Sequence, residues 1–362
     1  MVGRPRAART LRALTNANRS PSGGRRESRS SWWRQGPQEI IMTRLSGITP
    51  SGHVHLGNHL GAVRRWAAER EPEDLFFVSD LHAMTAPHRP ERLRSLTREV
   101  FAVLLGAGIE PDSVFVQSDL AYELGALNWV LECTCTYGEA ARMIQFKEKG
   151  AGQESVRVGL LTYPVLMAAD ILMQGASEVP VGTDQDQHVE LARTLARRFN
   201  SNYGEVFVVP RAVVPKTAAR IRDLGDPSRK MAKSSQQSPG SVFVLDEPDA
   251  IRRKFRRAVT DGGDEVRYDP EAKPGVANLL EILAACGGTS PYAAADSVGS
   301  YAELKDTVAE AVVEELRPVR ERARELLDDS AELDRVRAHG AKRAAERARP
   351  RLEAALRVSG LR

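Results

Sequence analysis

Residues 50–58 read Pro-Ser-Gly-His-Val-His-Leu-Gly-Asn, a composition that suits a phosphate-binding turn. An apolar stretch at residues 45–48 precedes this turn, and a predicted helix at residues 59–69 follows it. Gly52 and Gly57 allow the backbone to approach a ligand closely. The N-terminus of the following helix adds unpaired N–H groups and a partial positive charge. The stretch therefore predicts a site for a phosphate-bearing ligand; the alternative is a surface turn with scattered histidines.

A second candidate site is the run Lys-Met-Ala-Lys-Ser-Ser at residues 230–235, in a segment rich in glycine, proline and serine. The chain has 52 lysine and arginine residues, of which nine are lysine, and two of those nine lie in this run. Because the chain uses arginine almost everywhere else, the clustered lysines indicate a need for compact charges on flexible stems. Such a loop can follow a phosphate as its geometry changes. The alternative is a solvated charged loop.

The elements around these two segments alternate between strands and helices, which predicts an α/β fold. Apolar runs predict buried strands at residues 45–48, 75–78, 114–116 and 179–181. Helical patterns occur at residues 59–69, 90–106, 121–176, 279–285, 301–326 and 331–356. Strand, helix and strand in this order form a βαβ unit with parallel strands, so the turn at 50–58 lies at the carboxyl edge of the sheet. The predicted fold is a Rossmann-like parallel sheet followed by a C-terminal helical domain.

Composition and charge restrict the class of protein. The 362 residues are 42% hydrophobic and 28% charged, which is typical of a globular protein with a sizeable core. No apolar run approaches the ~20 residues of a membrane span. The net charge is +4, but residues 1–41 carry +7 and the remainder −3, so RNA binding would need a local patch. Three cysteines, Cys133, Cys135 and Cys286, predict a reducing, cytoplasmic compartment and ordinary buried thiols without disulfides or a metal.

Residues 1–41 are rich in arginine, serine, glycine and alanine and show no sustained apolar period, which predicts a disordered basic extension. Three interpretations are open: an RNA-binding tail, an organelle transit peptide, or upstream sequence included by an early start. Met42 lies three residues before the first predicted strand, which favours the third interpretation.

The two candidate sites together resemble the signature motifs of class I aminoacyl-tRNA synthetases. Residues 50–58 resemble their "HIGH" region, with Asn58 in place of the last histidine, and residues 230–234 resemble their "KMSKS" loop, with Ala232 in place of the first serine. Residues 159–170, Gly-Leu-Leu-Thr-Tyr-Pro-Val-Leu-Met-Ala-Ala-Asp, are similar to the amino-acid pocket of the tryptophanyl-tRNA synthetases. This resemblance extends from about Met42 to the C-terminus.

The resemblance implies a tryptophan pocket around one carboxylate. Asp170 would accept the indole N–H, and Met167 would pack against the indole ring. These two residues are three positions apart and so share a helix face. Tyr163 and Gln185 would hold the α-ammonium group, and His82 is also placed in the pocket. A pocket for indole needs apolar walls and one well-placed acceptor, which agrees with this assignment.

The resemblance also implies the chemistry and its nucleotide site. ATP activates L-tryptophan to an adenylate with release of pyrophosphate, and the acyl group then passes to tRNA(Trp). The implied catalytic residues are His55, Lys149, Lys230, Lys233 and Ser234. The implied ATP-binding residues are Thr49, Pro50, Ser51, Gly57, Asn58, Gly182, Thr183, Asp184, Ile221, Lys230, Met231, Ala232, Lys233 and Ser234. Mg²⁺ is expected on the phosphates, held mostly by substrate oxygens and water, and no protein metal ligands are assigned.

The implied domain organisation is a catalytic domain at residues 42–229, a mobile lysine loop at residues 230–240, and a helical tRNA-binding domain at residues 241–362. The last helix of that domain is a candidate to pack back on the catalytic domain. The resemblance further implies a homodimer, which nothing in the residue spacing shows.

Three rival functions are weighed against this interpretation. Tyrosyl-tRNA synthetases share the fold and both motifs, but the Met167–Asp170 segment argues against them. Small-metabolite nucleotidyltransferases share a similar turn but are usually shorter and lack a helical domain of this size. A non-catalytic paralogue that binds RNA would not need the retained lysine loop and pocket.

Overall fold

The computed structural model describes residues 42–144, 156–182, 185–214, 221–231 and 239–362. Within this part of the chain, all elements belong to one compact unit, Ile41–Arg362. One hydrophobic cluster joins sheet residues such as Val78 to residues of the C-terminal helices such as Leu280 and Leu316. The division into domains at residues 230–240 stays a prediction.

A parallel β-sheet forms the centre of the molecule. Its strands are β1 (Leu45–Ile48), β2 (Leu75–Val78), β3 (Val114–Val116), β4 (Glu178–Pro180) and β5 (Arg211–Val213). Strands β1, β2 and β3 pair in parallel, as do β4 and β5, and a parallel bridge between Arg44 and Glu178 joins the two groups. The spatial order is therefore β3-β2-β1-β4-β5, the doubly wound arrangement expected of a Rossmann-like fold. Strand β5 was not predicted, because Arg211 is exposed and Ala212 and Val213 are only partly buried, so the strand has no continuous apolar run.

Both faces of the sheet are covered, as the continuous apolar runs predict. In β2, Leu75 and Phe77 pack into one hydrophobic cluster, and Phe76 and Val78 pack into another on the opposite face. All four residues of this strand are buried.

The described helices cover the sheet and build the C-terminal part. Their bounds are α1 (Leu56–Asn58), α2 (Arg64–Glu69), α3 (Asp80–Ala83), α4 (Pro90–Gly106), α5 (Ala121–Thr134), α6 (Tyr137–Ala141), α7 (Val158–Gln174), α8 (Asp186–Tyr203), α9 (Pro248–Arg256), α10 (Pro274–Gly287), α11 (Pro291–Asp296), α12 (Tyr301–Asp328) and α13 (Ser330–Val358). A wider π-type turn, His59–Val63, joins α1 to α2. The predicted bounds of α4 are confirmed. The helical stretch predicted over residues 121–176 is instead divided into α5, α6 and α7, the last of which ends where Gly175 takes a left-handed conformation.

The final helix, α13, packs against β3, α5 and α7. Its backbone lies so close to the sheet that a Cβ at Gly340 would be 1.9 Å from the carbonyl oxygen of Val114. Arg347 donates hydrogen bonds to the carbonyl oxygens of Gln174 and Glu73 and to the hydroxyl of Thr43. This helix therefore supports the sheet directly.

The prediction that all three cysteines are buried is wrong. Cys133 is exposed on α5, because none of the described elements covers the face of α5 that carries it, and Cys135 and Cys286 are partly buried. All three are free thiols. Among the helices described, none is both long enough and apolar enough to cross a bilayer.

Candidate active site

A cavity of about 440 Å³ opens at the carboxyl edge of the sheet, between β1 and β4. Strand order reverses at this point, which is where doubly wound folds bind their ligands. Strand β1 contributes Leu45, Ser46 and Gly47, and β4 contributes Val179 and Pro180. The sheet topology therefore places the opening where the turn at residues 50–58 was predicted to act.

The buried carboxylate of Asp170 lies in the wall of this cavity. Its side chain is 4% exposed, and it accepts hydrogen bonds from two neighbouring side chains. His82 Nε2 lies 3.0 Å from Oδ2, and Gln117 Nε2 lies 2.8 Å from Oδ2 and 3.0 Å from Oδ1. Burial raises the pKa of the Asp170 carboxyl, and the hydrogen bonds from His82 and Gln117 act in the opposite direction.

The wall around Asp170 is largely apolar. Met167 and Asp170 lie one turn apart on α7 and both line the cavity, as their spacing predicts. Other apolar lining residues are Leu45, Phe77, Ala83, Leu160, Ile171, Val179 and Val181. A large apolar ring with a single donor would fit such a surface.

Tyr163 and Gln185 border the same cavity, on α7 and immediately before α8. The Tyr163 hydroxyl lies 2.7 Å from His188 Nε2. Burial raises the pKa of Tyr163 to about 12, so the phenol stays protonated at neutral pH. The cavity thus brings together all five residues predicted for tryptophan, which are His82, Tyr163, Met167, Asp170 and Gln185.

The turn at residues 50–58 borders the cavity on one side only. Thr49 and Ser51 line it, and the Thr49 hydroxyl lies 2.9 Å from that of Ser79. His55 is buried and caps α1, where its Nδ1 accepts the N–H of Asn58 at 3.2 Å. The side chain of His55 therefore orders the start of the helix. Pro50, Gly57, Asn58 and Gly182 lie outside the cavity lining.

The base of the lysine loop is a paired, buried structure. Met231 N–H donates to the Ile221 carbonyl, and both side chains are 1% exposed within the core, so neither reaches the cavity. Lys230, which directly precedes Met231 in the chain, is exposed. The Asp223 carboxylate accepts the N–H groups of Gly225 and Asp226 and the hydroxyl of Ser241.

Several predicted site residues lie outside the described residues. They are Lys149, Thr183, Asp184, Ala232, Lys233 and Ser234. Their roles stay predictions.

Sequence reasoning missed Gln117, which binds both oxygens of Asp170. A signal for it was present, because Gln117 directly follows β3 and so lies at the carboxyl edge, like the turn at residues 50–58. The same positional argument would have selected it.

Comparison with known proteins agrees with this geometry. Residues 40–317 match the model of the class I tRNA synthetases specific for tryptophan and tyrosine. The chain is 55% identical to tryptophan–tRNA ligase 1 of Streptomyces coelicolor over 88% of this chain and 98% of that protein. It is also similar to the solved tryptophanyl-tRNA synthetases of Mycoplasma pneumoniae and Campylobacter jejuni.

The Mycoplasma structure has a TM-score of 0.79 and 32% identity, covering 89% of this chain and 99% of that one. The Campylobacter structure, complexed with ADP and tryptophan, has a TM-score of 0.77 and 30% identity, covering 88% and 100%. With the match over residues 40–317 and the buried acceptor in an apolar cavity, these similarities identify the chain as a member of the tryptophanyl-tRNA synthetase family of class I aminoacyl-tRNA synthetases.

Proposed function

This chain is an ATP-dependent ligase that joins tryptophan to tRNA, and we propose which of its residues bind the substrates and support the reaction. The observation that carries the assignment is the buried carboxylate of Asp170, which accepts hydrogen bonds from His82 and Gln117 in an apolar cavity. Asp170 accepts the indole N–H of tryptophan, and Met167 packs against the ring. The protonated Tyr163 hydroxyl and the Gln185 amide bind the α-ammonium group. His82 also lines the tryptophan pocket and holds the Asp170 carboxylate by a hydrogen bond.

The nucleotide site lies beside this pocket. Thr49 and Ser51 line the shared cavity, and Gly57 at the start of α1 lets a phosphate approach the backbone closely. Asn58, whose N–H is held by His55, is assigned to the site from its position in the family motif. Pro50, Gly182 and the backbone of Ile221 and Met231 complete the described part of the ATP site. Thr183, Asp184 and Ala232 belong to it on the strength of the family motifs.

Neither chemical step needs a protein nucleophile, because the tryptophan carboxylate itself attacks the α-phosphate of ATP. The acyl group then passes to a ribose hydroxyl of the tRNA. The chain positions the reactants and stabilises the phosphate charge that develops. Lys230 supplies one such charge, and the assignment adds Lys149, Lys233 and Ser234. His55 acts by ordering the helix start that faces the phosphates.

We also propose that ATP binds to this site as its Mg²⁺ complex. The described residues contain no group of three or more histidine, cysteine, aspartate or glutamate side chains that could hold a metal. Phosphate oxygens and water are the proposed ligands of the ion, as is common for Mg²⁺ bound with a nucleotide.

A homodimer is also proposed, with α5 in its interface. Helix α5 presents Tyr122, Gly125, Trp129 and Cys133 on one exposed face, with Tyr122 93% and Trp129 65% exposed. These positions recur every three or four residues, so they form one apolar stripe. Exposed stripes of this size commonly mark protein interfaces, and a second copy supplies an identical stripe. Sedimentation at the monomer mass would contradict this proposal.

Residues 241–362 are assigned to tRNA(Trp), and the proposed location is the cytoplasm, where the free cysteines stay reduced.

Amino-acid-dependent ATP–pyrophosphate exchange tests the assignment. The wild type is expected to exchange with tryptophan and not with tyrosine. Asp170→Ala is expected to lose the selective use of tryptophan while it keeps the wild-type circular dichroism spectrum. A variant that retains full selectivity would refute the role of Asp170.

A further inference from the structure

The orientation of the Gln117 amide is fixed within the cavity wall. Gln117 is 1% exposed, and its Oε1 accepts the N–H of Leu81 at 3.0 Å. Because that oxygen is engaged by a donor, the other end of the amide must be Nε2, and it faces Asp170. The side chain therefore has one allowed orientation, with its donor directed at the carboxylate.

The donors around Asp170 are distributed unequally between its two oxygens. Oδ2 receives both His82 Nε2 and Gln117 Nε2, whereas Oδ1 receives only the longer, 3.0 Å contact from Gln117. A carboxylate offers about four acceptor positions. Among the residues described, no lysine or arginine pairs with Asp170. An acceptor position on Oδ1 is therefore left for a ligand donor.

We propose that Gln117 is a positioning residue for tryptophan specificity: its amide holds the Asp170 carboxylate so that Oδ1 faces the indole N–H. This inference depends on the proposed role of Asp170. Gln117 does not touch the substrate in this scheme and acts through Asp170 alone. Burial raises the pKa of Asp170, and the Gln117 donor opposes that effect, so the same bond favours the ionised acceptor.

The test compares tryptophan with 3-(benzothiophen-3-yl)alanine, in which sulfur replaces the indole N–H in a ring of nearly the same shape. The measured quantity is the ratio of kcat/KM for the two amino acids in ATP–pyrophosphate exchange. Gln117→Met keeps the side-chain volume and removes the donor. We expect kcat/KM for tryptophan to fall about 30-fold, mostly through KM, and that for the sulfur analogue to change less than about threefold.

A matched control is Gln174→Met, on the same helix as Asp170. Gln174 is also fully buried and donates one hydrogen bond, to the carbonyl of Ala344, away from the cavity. We expect this variant to lower the melting temperature and to leave the ratio at its wild-type value. A purely structural role of Gln117 would give the same result as this control, which would overturn the proposal.

A second variant covers the case in which Gln117→Met fails to fold. Gln117→Leu is close to glutamine in volume, lacks the donor and places no second carboxyl beside Asp170, so we expect the same fall of the ratio, which is independent of the fraction of protein that folds. A wild-type ratio retained in that variant overturns the proposal. If the wild type itself does not prefer tryptophan over the analogue, the assignment of Asp170 to the indole fails, and the inference about Gln117 fails with it.

Discussion

Asp170 and Asp223 are both buried carboxylates, 4% and 7% exposed, but their hydrogen bonds come from different sources. Asp223 is held mainly by backbone N–H groups two and three residues ahead of it, at the base of the lysine loop. Asp170 is held by side chains from α3 and from the turn after β3, and part of it faces a cavity. A carboxylate satisfied by its own loop fixes local structure. One satisfied from distant elements, with an acceptor position to spare, is built to receive a ligand.

Asp170→Asn is expected to give the largest effect, because it should reduce activity without reducing stability. The amide keeps the shape but presents a weaker acceptor, so kcat/KM for tryptophan should fall about 10³-fold or more. The free energy of unfolding should not decrease, because a neutral group costs less to bury than a carboxylate. Exchange kinetics and urea unfolding measure the two quantities. A loss of stability that parallels the loss of activity would contradict the comparison.

Gly240→Ala tests the other carboxylate by steric means. A Cβ at this position would be 2.0 Å from Asp223 Oδ1 and 2.3 Å from the nitrogen of Gly225. We expect a loss of about 3 kcal/mol in the free energy of unfolding, because backbone and carboxylate must both move. The control is Gly262→Ala, where nothing lies within 4 Å of the added methyl group. Equal losses in the two variants would show that the close packing of Gly240 against Asp223 and Gly225 does not contribute to the free energy of unfolding.

Asp223→Ala should have a smaller effect on stability and no effect on amino-acid choice. It leaves the N–H groups of Gly225 and Asp226 without their acceptor, which costs about 2 kcal/mol. The KM for ATP should rise because the backbone bridge between Arg222 and Lys230, beside Asp223, is loosened, while the preference for tryptophan over tyrosine stays unchanged. Urea unfolding measures the free energy of unfolding, and ATP–pyrophosphate exchange at varied ATP concentration measures the KM for ATP. A changed amino-acid preference would remove the distinction between the two carboxylates.

Glu139 gives the smallest effect and shows a third way to hold a carboxylate. Hydrogen bonds from Arg198 lower its pKa from an ordinary value of 4.5 to about 2. The stabilisation is therefore present above pH 4.5 and is lost as the pH falls towards 2. We expect Glu139→Gln to lower the free energy of unfolding by about 1 kcal/mol at pH 6, with a narrower difference at pH 3. A difference independent of pH would exclude the ion pair as its source.

Sequence patterns were sufficient for the strands that form the inner sheet, because burial on both sheet faces preserves their apolar runs. The pair Met167 and Asp170 was assigned from the resemblance of residues 159–170 to the tryptophanyl-tRNA synthetases, and the spacing added only that the two residues share a helix face. The same patterns did not reveal β5, because that strand is only partly buried and lacks a continuous apolar run. Gln117 was missed for a different reason: its partners, Leu81 and Asp170, are 36 and 53 residues away.

The π-type turn at His59–Val63 was also missed. His59 in that turn makes a hydrogen bond to Glu315 on α12, 256 positions away, so a distant contact accompanies the local change of helix geometry. Local propensity gives no indication of such a contact. Gln117 and His59 were therefore both missed because their contacts are made by residues that are distant in the sequence.

The packing of α13 against β3 has a consequence for biosynthesis. Residues that line the amino-acid cavity are translated well before residues 330–358, and Arg347 then ties that late helix to Thr43 and Gln174. A nascent chain that has left the ribosome only through α12 still exposes the apolar surface at β3, α5 and α7 that α13 later covers. The sheet that carries the pocket is therefore fully packed only after α13 has emerged, which makes this step sensitive to chaperones and to the speed of elongation.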